Sequence, residues 1–189
     1  MRPLRVKIVC YTNKKHLRDL DKVFTKAFDK DYFNSLGVDF YSFTYDLYLN
    51  KRTKMPTQVY VWAVNMKQGE IEFLRGIMKG SRGLALIIDL HNENYKHDLE
   101  WFLEKIIGNL EKVIPFLILV KVDTHLIEKI REKIFELVEK QFEIFRLSDY
   151  PFWVDFYTSD DLTGIIQGFE SLLILITKIL IKKKETKDN

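Results

Sequence analysis

The chain has 189 residues, of which 47% are hydrophobic and 30% are charged. This length is sufficient for one domain with a sizeable core, and the composition excludes a disordered or collagen-like chain. A formal net charge of +3 is too small to indicate nucleic-acid binding, so no nucleic-acid partner is expected.

Short β-branched and aromatic runs alternate with segments of helical periodicity, which predicts a three-layer α/β domain. The predicted elements are a strand at Leu4–Tyr11, a helix at Lys15–Lys30, strands at Val38–Leu49 and Gln58–Val64, a helix at about Gly69–Lys79, a strand at Gly83–Leu90, a helix at Tyr95–Leu110, a strand at Ile114–Val122, a helix at His125–Gln141, a strand at Trp153–Tyr157 and a helix from about Asp161 onward. The second and third strands follow each other directly, so we expect one antiparallel hairpin in an otherwise parallel sheet of six strands. No linker or repeat divides the chain, which indicates one domain over residues 1–181 and a short basic tail over 182–189.

Two observations favour a cytoplasmic location. The single cysteine, Cys10, permits no internal disulfide and no cysteine-based zinc site, which fits a reducing compartment. Met1 to Lys7 carry charge without a following apolar segment, so no secretory signal is expected. The longest apolar stretch, Leu172–Ile181, is about half of the roughly 20 residues that cross a bilayer, so it is not predicted to be transmembrane.

Three strings in the first half of the chain occur where a Ras or Rab small GTPase carries related motifs. SLGVDF at Ser35–Phe40 resembles the effector-loop string TIGVDF of Rab proteins. Trp62 ends the third predicted strand where the family has WDTAGQ. GSRGLALIID at Gly80–Asp89 resembles the string that leads through the family's fourth strand.

Two further strings resemble the motifs with which this family reads guanine. LVKVD at Leu119–Asp123 resembles GNKxD, and Thr158-Ser159 resembles the start of TSAK. With the earlier strings, they make the chain from Lys7 to about Ile176 similar to a Ras-type domain. The resemblance implies a three-layer P-loop GTPase-like fold.

The P-loop of that family, GxxxxGK[ST], wraps phosphates with backbone N–H groups, while its lysine neutralises them and its hydroxyl binds Mg²⁺. The matching segment here is TNKKHLRD at 12–19. Thr12 and Leu17 fill the two glycine positions, and a Cβ at those positions crowds the anion. Arg18 stands at the lysine position, whereas Asp19 replaces the hydroxyl and brings a carboxylate towards the phosphates.

The second phosphate motif of the family, DxxGQ, aligns with Ala63–Lys67. Ala63 replaces the carboxylate that holds Mg²⁺ through water, Met66 replaces the glycine and Lys67 replaces the glutamine that orients the attacking water. Ser35 still offers a hydroxyl where the family's switch threonine binds the metal. No catalytic residue and no metal site of this chain's own is therefore predicted.

On the base side, the resemblance implies that Asp123 accepts hydrogen bonds from guanine and that Lys121 lies over its ring, although Val120 replaces the asparagine of the motif. The residues left for a residual nucleotide site are Arg18, Ser35, Lys121, Asp123, Thr158 and Ser159. The cluster of Lys14, Lys15, His16 and Arg18 either contacts phosphate directly or is a solvated basic loop, and a solvated loop is the commoner case.

Loss of four or five charge-assisted phosphate contacts, at roughly 1.5 to 3 kcal/mol each, removes about 6 to 15 kcal/mol of nucleotide affinity. The leading hypothesis is therefore a pseudo-GTPase without cofactor, which acts as a protein-interaction or scaffold module. The alternative is an atypical small GTPase that binds GTP or GDP weakly with Mg²⁺. A third hypothesis is an adaptor that contacts a membrane surface through the basic C-terminus.

The second predicted strand is rich in aromatic residues and lies at the edge of the expected sheet. In the Ras and Rab families, this strand and the loop before it form the effector surface. An uncovered edge also tends to pair with another chain. We therefore expect Tyr41, Phe43 and Tyr45, with the segment Asp31–Leu36, to contact a protein partner or a second copy.

The final helix carries more apolar residues than one packed face requires. A stripe that includes Ile165, Phe169 and Leu172 satisfies the core. The apolar residues left towards the outer face are Ile174, Leu175, Ile179 and Ile181, of which Leu175 and Ile179 are predicted as a second partner surface. Lysines at 182, 183, 184 and 187 follow. Without a terminal cysteine for prenylation, membrane contact through this tail is expected to be weak, so a protein partner is favoured.

Overall fold

The computed structural model describes residues 4–26, 37–48, 54–66 and 71–185. Within these residues the strands are β1 (Leu4–Thr12), β2 (Thr25–Lys26), β3 (Val38–Tyr48), β4 (Lys54–Asn65), β5 (Gly83–Asp89), β6 (Phe116–Lys121) and β7 (Phe152–Tyr157). The α-helices are α1 (Lys14–Val23), α2 (Ile71–Met78), α3 (Tyr95–Trp101), α4 (Ile127–Phe145) and α5 (Thr163–Glu185). α3 continues into a π-helical turn at Phe102–Ile106 and a 3-10 turn at Ile107–Asn109, so the helix predicted at Tyr95–Leu110 is irregular in its second half.

The described strands form one sheet in the order β2-β3-β4-β1-β5-β6-β7. β1 pairs in parallel with β4 and β5, and β6 lies parallel between β5 and β7, whereas β3 is antiparallel to β4. The predicted α/β class is confirmed, as is the predicted mostly parallel sheet of six strands with one antiparallel strand. The two-residue strand β2, which was not predicted, pairs with β3 at the edge.

Helices cover both faces of the sheet because the buried strands are apolar on both sides. Successive residues of β1 point to opposite faces: Val9 lies in a core with α2, α3 and α4, while Cys10 lies in a core with α1 and α5. Every residue of β5 and β6 is buried. This arrangement agrees with the predicted three layers.

The helix predicted at Lys15–Lys30 ends at Val23 instead. Phe24 adopts an extended conformation, and its ring stacks on Phe43 at 4.7 Å and meets Phe169 edge to face at 5.1 Å. Burial of this ring between β3 and α5 stabilises the extended backbone that starts β2, which outweighs the local helical pattern. The rest of the predicted helix, 27–30, lies outside the described residues.

α5 packs one apolar stripe on the sheet, as predicted, since Ile165, Phe169 and Leu172 are buried against it. The approach is close at Gly168, where an added Cβ would lie 2.7 Å from Leu119 Cδ2. The helix continues to Glu185, past the predicted start of the tail at residue 182.

By length and composition alone, one helical segment among the described residues could cross a membrane. It is Thr163–Lys182, with a mean hydropathy of 1.8. The core helix of an α/β domain can have the same composition, and the buried stripe of α5 accounts for part of its apolar content.

Candidate functional site

The carboxyl ends of parallel strands are where open α/β sheets bind their ligands. At this edge the structure brings together titratable side chains from α1, from the ends of β5, β6 and β7, and from the loops that follow β5 and β6. We call them the carboxyl-edge cluster: Lys15, His16, Asp19, Asp89, His91, Lys121, Asp123 and Tyr157.

β1 leads into α1 with only Asn13 between them. Asn13 caps the helix, because its side-chain oxygen accepts a hydrogen bond from Lys15 N at 3.1 Å. Met66 N donates to Thr12 O at 2.9 Å, which ties the end of β4 to the end of β1. The segment that aligns with a P-loop therefore has helical backbone from Lys14 onward and forms no loop that wraps a phosphate.

Asp19 and Lys121 form a buried ion pair in the cluster. Lys121 Nζ lies 2.7 Å from Asp19 Oδ2, and the two side chains are only 10% and 8% exposed. Tyr157 donates its hydroxyl to the same carboxylate oxygen at 3.2 Å. Burial, reinforced by Asp19, raises the pKa of Tyr157, so the phenol stays protonated. Lys121, predicted to cover a guanine ring, instead binds a carboxylate of its own chain.

His16 is fully buried beside this ion pair. Its Nδ1 lies 3.6 Å from Asp19 Oδ2 and its Nε2 lies 3.7 Å from Asp89 Oδ2. These distances are too long for hydrogen bonds, and neither ring nitrogen has another partner among the described residues. Burial lowers the pKa of His16 by more than the neighbouring carboxylates raise it. The prediction of a solvated basic loop is therefore wrong for His16, whose ring fills space in the interior.

His91 links the loop after β5 to the loop after β6. Its Nδ1 lies 2.9 Å from Asp89 Oδ1 and its Nε2 lies 3.0 Å from Asp123 Oδ2, so both ring nitrogens need a proton to donate both bonds. The hydrogen bonds to Asp123 and Asp89 raise the pKa of His91. Burial acts to raise the pKa of Asp89, but hydrogen bonds from His91 and the charge of Lys15 lower it overall.

The two histidines are expected to titrate on opposite sides of the ordinary histidine pKa, His91 above it and His16 below it. The contribution of His91 to the free energy of unfolding is present at low pH and is lost as pH rises through its raised pKa. The contribution of His16, which is stable as the neutral ring, is present at high pH and is lost as pH falls through its lowered pKa. NMR titration of the ring protons measures both values. Asp123→Asn should lower the pKa of His91 and leave His16 unchanged; coincident titration of the two rings contradicts the assignment.

Thr158 and Ser159 follow β7 and shape the start of α5. Thr158 Oγ1 accepts a hydrogen bond from Asp161 N at 2.9 Å, and Asp161 Oδ1 in turn accepts from Thr163 N at 2.9 Å. Thr158 is buried and Ser159 is exposed. The interactions of Thr158 are therefore those of a turn and a helix cap.

The remaining members of the predicted nucleotide site are spread out. Arg18 is exposed on α1 and lines a surface groove with Asp21 and Asp39. Ser35 lies outside the described residues. Asp123 is at the sheet edge as predicted, but it faces His91. His91 and Asp89 were not predicted as site residues. A carboxylate at the end of a buried strand, followed two residues later by a histidine, is a pattern from which both could have been predicted.

The aromatic side chains of β3 face the core more than predicted. Tyr41 is fully buried, and its hydroxyl donates to Asp21 Oδ1 at 3.0 Å, so its predicted role as a surface contact is corrected. The ring packs on the face of the sheet that α1 and α5 cover. The sequence pattern of an edge strand does not show which of its two faces meets the core. Phe43 and Tyr45 are half-buried on the same core, and β2 covers the strand edge beside Tyr41.

Removal of the Tyr41 hydroxyl is expected to lower the free energy of unfolding by about 1 kcal/mol, since it removes one hydrogen bond in a partly buried site. Tyr41→Phe is compared by urea denaturation with Tyr60→Phe, which lies half-exposed on β4 and should change stability little. Equal midpoints for the two variants would show that the bond to Asp21 contributes nothing.

The predicted partner surface on α5 is only partly exposed. Leu175 and Ile179 are half-buried, while Ile174 is 47% exposed and Ile166 is 44% exposed. Of the predicted outward positions, Ile174 is therefore exposed, whereas Leu175, Ile179 and Ile181 are half-buried. Ile166 is a further exposed apolar position on the helix. Partner binding at Leu175 and Ile179 stays a prediction.

Comparison with known proteins does not identify a family for this chain. No protein-family model matches the chain, and no curated protein matches its sequence. The similarity to small GTPases therefore rests on the short strings and on the order of the elements.

Proposed function

We propose that this protein is a non-catalytic, small-GTPase-like interaction module of the cytoplasm. The order of its elements supports this proposal, because the antiparallel hairpin of β3 and β4 follows the first helix and the remaining strands are parallel, as a Ras-type domain requires. The strings that resemble the guanine-reading motifs lie at the carboxyl edge, one across the end of β6 and the other directly after β7.

One observation carries the loss of nucleotide binding: the buried pair of Asp19, on α1, and Lys121, at the end of β6, beside a β1–α1 junction that has no loop. In a P-loop domain, the position that matches Asp19 holds a hydroxyl that binds Mg²⁺ beside the phosphates. Here that position holds a carboxylate, and Lys121 of the same chain neutralises it. A nucleotide phosphate would have to displace a buried ion pair and would then meet an uncompensated carboxylate, which is strongly unfavourable.

The test is nucleotide content and affinity. Protein purified without added ligand is denatured and its supernatant chromatographed, and the native protein is titrated with a fluorescent GDP analogue in Mg²⁺. We expect no guanine nucleotide and a Kd weaker than about 1 mM, with a conventional small GTPase as the positive control. Nucleotide near one equivalent would overturn the proposal.

The alternative, weak GTP or GDP binding with Mg²⁺, requires rearrangement of the cluster. Lys121 would have to leave Asp19, and Asp123 would have to leave His91, before either could contact guanine. The variant Lys121→Ala distinguishes weak nucleotide binding from its absence. It should abolish weak nucleotide binding if Lys121 contacts the base, and it should change only stability if Lys121 acts through Asp19.

For the interaction role, the exposed apolar positions of α5 provide a direct test. Ile166→Glu with Ile174→Glu should leave the fold intact, because both side chains are nearly half exposed. If α5 mediates self-association or partner binding, this variant sediments as a smaller species than wild type at matched concentration and loses partners in a pull-down. Glu170→Lys, half-buried on the same helix, tests whether any charge change has the same effect.

A further inference from the structure

Two surface depressions lie side by side at the amino ends of β5 and β6. One lies between α2 and the loop at 109–112, and the other lies between that loop and the last turns of α5; both are lined by Lys112 and Ile114. We call the two together the amino-edge groove. It lies at the opposite end of the parallel strands from the carboxyl-edge cluster.

The groove has an apolar floor. Val113 is 42% exposed although it is aliphatic, and Ile179 and Leu180 are half-buried beside it. Leu110 extends the apolar lining towards α2. Apolar side chains that stay exposed in a concave site favour contact with an apolar partner surface.

The rim of the groove is basic. Arg75, Lys79, Arg82 and Lys112 line it and are exposed, and no ion pair joins any of the four to a described residue. Two carboxylates, Glu72 and Glu111, are the acidic side chains of the lining. The rim therefore carries more positive than negative side chains, and none of the four basic ones forms an ion pair with a described residue.

We propose that the amino-edge groove binds an acidic amphipathic helix of a partner protein, an inference that rests on the proposed interaction role. The apolar face of such a helix would cover Val113 and Ile179, and its carboxylates would face the rim at Arg82 and Lys112. Exposed apolar side chains bordered by basic ones are matched by a partner that presents apolar and acidic side chains together, as an amphipathic helix does.

The experiment uses a designed, fluorescein-labelled helical peptide with leucines at i, i+3, i+4 and i+7 and glutamates elsewhere. Its binding to the full chain is measured by fluorescence anisotropy beside the same peptide with lysines in place of the glutamates. We expect the acidic peptide to bind at least about 10-fold more tightly, with affinity that falls as salt rises. Amide NMR shifts should change at 79–82 and 109–114.

The decisive variant is Arg82→Glu with Lys112→Glu, which should weaken the acidic peptide at least about 10-fold. Lys129→Glu with Lys140→Glu makes the same charge change at exposed positions on α4 and should leave binding unchanged. Equal loss in both variants, or no binding of the acidic peptide, overturns the proposal. Binding to phosphatidylserine vesicles that only the groove variant loses, without peptide binding, would also overturn it in favour of a lipid surface.

Failure of this proposal is distinguishable from failure of the proposed function. Bound guanine nucleotide would refute the pseudo-GTPase and would leave the peptide measurement unaffected, because the groove and the cluster lie at opposite ends of the sheet. If the protein is free of nucleotide but does not bind the acidic peptide, only the proposal for the amino-edge groove is refuted.

Discussion

Asp19→Ala is expected to lower the free energy of unfolding by about 3 to 5 kcal/mol, because it leaves a buried ammonium without its counter-charge. Lys121 Nζ lies 2.7 Å from Asp19 Oδ2 and only 10% of the lysine side chain is exposed. Tyr157 loses the acceptor of its hydroxyl in the same variant. Urea denaturation followed by circular dichroism measures the change.

Two further variants test whether the loss of stability comes from the unpaired lysine. Asp160→Ala removes an exposed carboxylate and should shift the midpoint little. Asp19→Ala with Lys121→Met should recover most of the loss, since an apolar side chain of similar length needs no counter-charge. If the double variant is as unstable as Asp19→Ala alone, packing around Asp19 matters more than the ion pair.

Gly164→Ala is expected to destabilise the fold by about 3 kcal/mol or more through overpacking. An added Cβ would lie 1.9 Å from the Phe156 carbonyl oxygen and 2.9 Å from its carbonyl carbon, and this backbone belongs to the paired strand β7. Neither α5 nor β7 can move without loss of core packing, because Phe169 and Leu172 anchor the helix on the sheet.

Gly76→Ala is the matched control, because it adds the same methyl group in open space. No atom lies within 4 Å of an added Cβ at Gly76, which is exposed in α2. This variant should gain about 0.5 to 1 kcal/mol from the higher helix propensity of alanine. Thermal and urea unfolding of both variants give the comparison, and equal stabilities would mean that α5 starts further from β7 than the structure shows.

Much of the fold could be predicted because each strand and helix carries its own periodic pattern. β5 and β6 are apolar up to their last residues, Asp89 and Lys121, which indicates strands buried on both faces. The stripe through Phe169 predicts how α5 packs. The segment predicted to match a P-loop contains no glycine, since Thr12 and Leu17 stand at the two glycine positions of the motif. Local patterns suffice wherever the deciding contacts lie close in sequence.

The candidate site was less predictable because its contacts join distant parts of the chain. In the resemblance predicted from the sequence, Asp19 replaces the hydroxyl that binds Mg²⁺ and Lys121 keeps the lysine that covers guanine, and nothing in the sequence connects the two residues. Only the tertiary structure brings them to 2.7 Å, where each charge compensates the other.

The same reason applies to Phe24 and Tyr41. By sequence, Phe24 continues a helix and Tyr41 lies on an exposed edge. In the structure, Phe24 leaves the helix because its ring finds Phe43 and Phe169, and Tyr41 is buried because α1 brings Asp21 to its hydroxyl. Periodicity determines which face of an element is apolar, whereas the elements that pack against it decide which side chains are buried and which charges are paired.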